Sequence, residues 1–117
     1  MKTLILSALV TAVVPAHAAE QFACNLKGLT NAQHTRHAEL TQTLLKSVVE
    51  TSERPNGYAF RLDRSLLPLV AERVTLESKC CPFFSFQIDI EKREGPLWLK
   101  LTGSEGIKPF IRSEFQL

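Results

Sequence analysis

The chain lacks a long apolar run, an excess of charge of either sign, and any repeated or low-complexity segment. Its longest mainly apolar stretch has eleven residues, Leu4 to Val14, whereas a membrane-spanning helix needs roughly 20. After that stretch, 13 of the 14 basic residues stand against 12 acidic residues. So even a balance gives no electrostatic attraction to nucleic acid or to a membrane surface. We therefore expect no nucleic-acid partner, and no membrane partner once the chain is processed.

The N-terminus has the three parts of a secretory signal peptide. Lys2 supplies the positive start, the apolar stretch follows, and Ala16-His17-Ala18 is a small-x-small cleavage site. Cleavage after Ala18 would remove residues 1–18 and leave one domain of 99 residues, 19–117. The leader predicts a periplasmic or secreted protein, in an oxidising compartment where disulfides can form.

Hydrophobic periodicity predicts an α+β domain of order β-α-β-α-β-β-α, whose four-stranded sheet has helices packed on one face. Strands are predicted at residues 20–26, 58–62, 84–90 and 97–101, with a turn at 52–57. Helices are predicted over 30–50, 65–81 and 107–115, the first with Thr30 and Gln33 as its capping box and the second with Ser65 as cap and Pro68 in its first turn. Pro82 is expected to end the second helix.

The outer face of the predicted sheet is polar, as expected for a face that is open to water or to a partner. It carries Arg61, Gln87, Asp89 and Lys100. Trp98 projects from the same face, and an exposed tryptophan can anchor a protein partner. The alternative, that Trp98 covers a surface hollow or a dimer contact, stays open.

Three cysteines remain after the predicted cleavage: Cys24, Cys80 and Cys81. An odd count leaves one thiol unpaired or joins two molecules. One interpretation is a structural disulfide from Cys24 to either member of the doublet. A second is a site for Cu(I), Hg(II) or As(III), since two or three thiolates suit such thiophilic ions. The hydrophobic surround that keeps the sulfurs dry would be Phe83, Phe84 and Phe86.

Two redox interpretations rank below these. The sequence has no Cys-x-x-Cys motif, and the doublet lies at the predicted C-terminal end of a helix. The helix dipole is negative there, which raises a thiol pKa and disfavours a thiol oxidoreductase. A vicinal Cys80–Cys81 disulfide would be strained and easily reduced.

His34 and His37, spaced i, i+3 on the first helix, could join the cysteines in a mixed Cys/His zinc site. Leu40, Leu44 and Val48 recur at helical spacing on the first helix, and His37 lies in line with them. A half-buried histidine with a hydrogen-bond partner is therefore the simpler interpretation of His37. Glu77 is a further accessory residue, although a solvated position on the helix is its simplest interpretation. No Ser-His-Asp ordering, paired carboxylates or glycine-rich phosphate loop stands out, so no catalytic residue is assigned.

Four segments, FACNL, GYAFRL, ESKCCPFFSFQIDI and LWLKLTGSEG, resemble a family of short, uncharacterised bacterial proteins. Its members carry an ACxL-like start and an ExxCCxFxxF core. The matching positions are Cys24, Glu77, Cys80, Cys81, Phe83 and Phe86. Similar segments occur in regulators of the mercury-resistance type, so the resemblance implies a thiophilic metal ion as ligand. Most relatives are cytosolic and lack a signal peptide, so the predicted leader is a departure from that pattern.

The sequence as a whole predicts a small exported protein, not an enzyme, that binds a soft metal or metalloid ion through Cys24, Cys80 and Cys81. The alternative is a disulfide-stapled interaction module with a protein partner. The sequence specifies neither the ion nor the oligomeric state.

Overall fold

The computed structural model describes residues 22–117, and the predicted leader lies outside the described residues. Within them, the α-helices are α1 (Asn31–Ser47), α2 (Leu67–Cys80) and α3 (Ile107–Glu114). The strands are β1 (Glu50–Arg54), β2 (Gly57–Leu62), β3 (Ser85–Ile90) and β4 (Leu97–Thr102). All strand pairs are antiparallel, in the order β1-β2-β4-β3. The predicted α+β class and four-stranded sheet are confirmed. No helix in this part of the chain is long and apolar enough to cross a membrane.

Helix α1 begins where its capping residues predict. The Thr30 hydroxyl accepts a hydrogen bond from the Gln33 amide at 3.2 Å, and the Gln33 side chain accepts one from the Thr30 amide at 2.9 Å. This reciprocal capping box satisfies two amides at the helix start. The helix ends at Ser47, before the predicted end at residue 50.

The predicted strand at residues 20–26 is wrong for the part that the structure describes. Leu26–Gly28 is a short 3-10 helix, and the Asn25 amide donates to the Cys80 carbonyl instead of to a strand. The predicted turn at 52–57 is also too long, because Glu50–Arg54 pairs with β2 and only Pro55 and Asn56 turn the chain. A polar edge strand shows no apolar alternation, so its sequence resembles a turn. The observed order is therefore α-β-β-α-β-β-α.

Helix α2 follows a second 3-10 helix, Arg64–Leu66. Asp63 caps that 3-10 helix by accepting from the Ser65 amide at 2.9 Å, so the predicted cap at Ser65 is wrong. Pro68 lies in the first turn of α2, as predicted. The helix ends at Cys80, and Cys81 leaves the helical region with φ −125° and ψ 73° directly before Pro82. The doublet thus spans the point where α2 stops.

One face of the sheet meets all three helices in a single hydrophobic core. The sheet residues are Tyr58, Phe60, Leu62, Leu97, Leu99 and Leu101, and the helical residues include Leu40, Leu44, Val70, Leu76, Ile107 and Ile111. On the outer face, Trp98 is half-buried and its Nε1 donates to Glu91 Oε1 at 2.8 Å. Contact between Trp98 and a partner stays a prediction.

Candidate functional site

The N-terminal segment lies directly against the last turn of α2. The Asn25 amide donates to the Cys80 carbonyl at 2.6 Å. At Gly28, a Cβ atom would lie only 2.5 Å from the Lys79 carbonyl oxygen, so this close approach of two backbones requires glycine. The segment therefore brings Cys24 to the cysteine doublet without any strand pairing.

Cys24 and Cys81 form a disulfide across 57 residues of sequence, with a Cα–Cα distance of 4.8 Å. Cys80 is a buried free thiol, and its Sγ lies 3.6 Å from the Cys81 Sγ. All three sulfur atoms lie within 4.8 Å of one another. The predicted bridge from Cys24 to the doublet is confirmed, and Cys81 is its partner; the structure has no Cys80–Cys81 bridge.

The Cys80 thiol is poorly suited to nucleophilic attack. Its single proton can be donated to the Glu77 carbonyl at 3.6 Å or to the Cys81 sulfur, which carries no proton of its own in the disulfide. Burial, followed by the negative charge of Glu77, raises the pKa of the Cys80 thiol to about 11. Only a small fraction is thiolate at neutral pH, which argues against a thiol oxidoreductase.

Glu77 is fully buried, so the prediction of a solvated helix residue is wrong. His37 Nε2 shares a hydrogen bond with Glu77 Oε2, and the same oxygen lies 3.5 Å from Nη2 of Arg73. The interpretation of His37 as a half-buried, hydrogen-bonded histidine is confirmed. Arg73 is fully buried as well; its Nε donates to the Thr41 hydroxyl at 3.1 Å, and its guanidinium lies 4.7 Å from the Phe115 ring centre.

The buried pair of Arg73 and Glu77 leaves polar atoms without hydrogen bonds. Nη1 and Nη2 of Arg73 and Oε1 of Glu77 are inaccessible and make no hydrogen bond. Burial of a polar atom without a partner costs about 1–3 kcal/mol, and more when the group is charged. Such atoms are rare in native proteins, and each one asks for an explanation such as a bound ion or water.

A cavity of about 190 Å³ adjoins the sulfurs and the buried pair. Its lining consists of Cys24, Leu26, Leu29, His34, His37, Glu77, Cys80, Cys81 and Glu114. His34 Nε2 is hydrogen-bonded to the Leu26 carbonyl at 2.7 Å, and so His34 lines the cavity without joining the other ligand atoms. Burial, and then the charge of Glu77, raise the pKa of Glu114 above its usual value.

Two sets of metal-ligand atoms meet at this cavity and share Cys80. The first consists of the three sulfurs, and the second consists of His37, Glu77 and Cys80. Within each set, all ligand atoms lie within 4.8 Å of one another. The predicted cysteines and two of the three accessory residues therefore come together, and His34 lies to one side.

The predicted aromatic surround belongs to the same core as the doublet. The ring centres of Phe83 and Phe84 are 4.9 Å apart, and those of Phe84 and Phe86 are 5.8 Å apart. Phe110 of α3 joins this cluster at 5.2 Å from Phe83, and Phe22 at 5.5 Å. The last two rings were not predicted to join the cluster, because their neighbours are distant along the chain.

Arg73 and Glu114 were also missed as residues of the site. For Arg73 a signal existed: it lies three residues after the buried Val70 and four before Glu77, a spacing that places all three on one helix face. Glu114 carries no comparable signal, because only the packing of α3 brings it to the cavity. No family model, curated protein or solved structure matches the chain.

Proposed function

We propose that the protein, in its reduced form, binds one soft metal or metalloid ion through Cys24, Cys80 and Cys81. The observation that carries this proposal is the clustering of three sulfurs within 4.8 Å at the edge of a cavity. The Cys24–Cys81 disulfide is then the oxidised, closed form of the same centre.

The sulfur spacing suits a three-coordinate ion. An ion about 2.3 Å from each of three sulfurs in a plane needs those sulfurs about 4 Å apart. Cys80 and Cys81 already lie at 3.6 Å. Reduction would let the sulfurs of Cys24 and Cys81 separate from bonding distance by roughly 2 Å, a shift that side-chain rotation can supply. The surrounding apolar core favours a soft metal ion over a hydrated hard cation.

We propose in addition that the mature chain is exported. The predicted leader would place the mature chain in the periplasm or outside the cell. A disulfide can form and persist in such an oxidising compartment. The centre would then bind its ion only when reduction opens the bridge. The resemblance to proteins with an ExxCCxFxxF core supports a thiophilic ligand.

Arsenite is the sharpest probe, because As(III) takes three thiolates. Protein reduced with a thiol-free phosphine should bind one As(III) per chain, measured by mass spectrometry of the native protein. Cys80→Ser leaves only the Cys24 and Cys81 thiols and should weaken As(III) binding at least about tenfold. Ser78→Ala, an exposed change on the same helix turn, should leave the affinity unchanged. If Cys80→Ser binds As(III) as tightly as the wild type, the three-sulfur centre is wrong.

A second candidate function is a disulfide-stapled interaction module without a metal. The specific observation in its favour is that the bridge is closed and the adjoining segment is pinned to α2 by the Asn25–Cys80 hydrogen bond. This module would bind a protein partner through the outer sheet face around Trp98. If the reduced protein stays folded but binds neither As(III) nor Hg(II), this module is favoured over the metal centre.

A further inference from the structure

We infer that the oxidised protein has a second metal site, of the zinc class, formed by His37 Nε2, the Glu77 carboxylate and Cys80 Sγ. This site uses a different ligand set from the three-sulfur centre and does not need the disulfide to open. It goes beyond the proposed function and does not rest on it.

The donor atoms are already gathered around one point. His37 comes from α1, and Glu77 and Cys80 come from consecutive turns of α2, with all ligand atoms within 4.8 Å of one another. One imidazole nitrogen, one carboxylate oxygen and one thiolate sulfur are the ligand types that Zn(II) takes at distances of about 2.0–2.3 Å. The adjoining cavity leaves a fourth position for Glu114 or a water molecule.

An orphaned oxygen points independently to a ligand. Glu77 is fully buried and lines the cavity, and its Oε1 has no hydrogen-bond partner. Its other oxygen, Oε2, is engaged by His37 and by Arg73. A carboxylate held this way normally destabilises the folded protein, because a buried acceptor makes no hydrogen bond. A cation bound at Oε1 would satisfy that oxygen while Arg73 keeps Oε2.

The charges around the cavity can accommodate a divalent ion. Arg73 is the buried cation that opposes binding, at 3.5 Å from Glu77 Oε2. Against it stand the carboxylates of Glu77 and Glu114 and the thiolate that a metal creates by displacing the Cys80 proton. Three negative groups then balance one guanidinium and one divalent ion. His37 and Glu77 must also give up their mutual hydrogen bond. Nε2 of His37 and the ligating oxygen of Glu77 would then lie about 3.3 Å apart, the spacing of two ligand atoms on a tetrahedral zinc.

The closed disulfide decides which class of ion fits. It removes the sulfurs of Cys24 and Cys81 as anionic ligands, so one sulfur, one nitrogen and one oxygen remain. That mixture suits borderline ions such as Zn(II) and Co(II) and suits Cu(I) or As(III) poorly. Because both sites need Cys80, an ion in one site excludes an ion from the other. Redox state would thus exchange zinc-class for soft-ion binding.

The test uses the mature, disulfide-intact protein and Co(II), whose thiolate complexes absorb in the near ultraviolet and visible. We expect one Co(II) per chain, a sulfur-to-cobalt charge-transfer band, and displacement by Zn(II). Cys80→Ser should remove the band. His37→Gln should weaken Co(II) at least tenfold, and the matched control His34→Gln, three residues away on the same helix, should change affinity less than twofold.

Two results would overturn the inference: no Co(II) band with the disulfide intact, or equal losses in His34→Gln and His37→Gln. Circular dichroism of each variant before titration establishes that it is folded, and Glu77→Gln provides an isosteric second test of the carboxylate. Arsenite separates this site from the reduced centre, because His37→Gln should keep As(III) binding in the reduced protein. If the wild-type protein binds As(III) when reduced but binds no Co(II) when oxidised, the zinc-class site alone is overturned.

Discussion

The outer face of the sheet and the buried end of α2 each hold an Arg–Glu pair at the same distance in different surroundings. Arg61 and Glu50 lie 3.5 Å apart, with side chains 44% and 54% exposed. Arg73 and Glu77 also lie 3.5 Å apart, with side chains 1% and 0% exposed. The exposed pair is accessible to water, whereas the buried pair leaves three polar atoms without a hydrogen bond. Burial, not separation, therefore decides the free-energy cost of an ion pair.

The largest expected effect comes from removing the bridge that closes the buried end. In the chain-entropy model, a disulfide across 57 residues stabilises the fold by about 4 kcal/mol. Cys24→Ser/Cys81→Ser should therefore lower Tm by more than about 15 °C, measured by circular dichroism. Cys80→Ser keeps the bridge and is the control. If the double variant melts within a few degrees of the wild type, the bridge is not a structural staple.

The next effect tests the two ion pairs directly. Arg73→Met leaves the Glu77 charge buried beside His37 alone and should cost about 3 kcal/mol in urea unfolding. The matched change on the outer face, Arg61→Met, should cost no more than about 0.5 kcal/mol. Adding Glu77→Met to Arg73→Met should recover most of the loss, because no charge then remains buried. Equal losses in the two single variants would contradict the comparison.

The smallest effect concerns the free thiol and its pH dependence. The pKa of Cys80 is raised to about 11, so its thiolate fraction, and with it the iodoacetamide rate, should rise about tenfold per unit between pH 8 and pH 10. At pH 8 the rate should be at least about tenfold below that of a cysteine placed on the outer face by Gln87→Cys in a Cys80→Ser background. An iodoacetamide rate at Cys80 that does not change over this pH range would contradict the raised pKa.

The same raised pKa sets the sign of a stability change. The folded state keeps the Cys80 proton to a higher pH than the unfolded chain does, so the contribution of this thiol is complete below about pH 8.5. It is lost as the pH rises toward about 11. Comparison of urea unfolding of wild type and Cys80→Ala over that range isolates this contribution, and parallel curves would show that it is absent.

Local patterns predicted most of the fold. The capping box of α1, the alternation in β2, β3 and β4, and the stop at Pro82 each depend on neighbours within a few residues, and the structure confirms them. β1 was missed because its side chains are polar at the sheet edge. The N-terminal segment was misassigned as a strand because its hydrogen bond goes to the Cys80 carbonyl, a partner more than 50 residues away.

The candidate site was predicted in its sulfur content and less well in its charged part. The sequence predicted that the doublet lies at the C-terminal end of the second helix, and a bridge from Cys24 to either cysteine was one interpretation of the three cysteines. The burial of Glu77 was not predicted, since its carboxylate is paired with Arg73, one turn earlier on α2, and with His37 on α1. Glu114 was not predicted either, because a short terminal helix can pack in several directions.

The sequence by itself determined the periodicities, the helix caps and the break at Pro82, and through them the α+β class and the position of the doublet. These features follow from backbone geometry and from contacts within one or two turns. Only the tertiary structure decided that Cys24 bonds to Cys81 and leaves Cys80 free, and that His37 and Glu77 meet beside it. Those outcomes depend on ångström-scale placement of segments that are far apart in sequence, which the packing of the whole core sets.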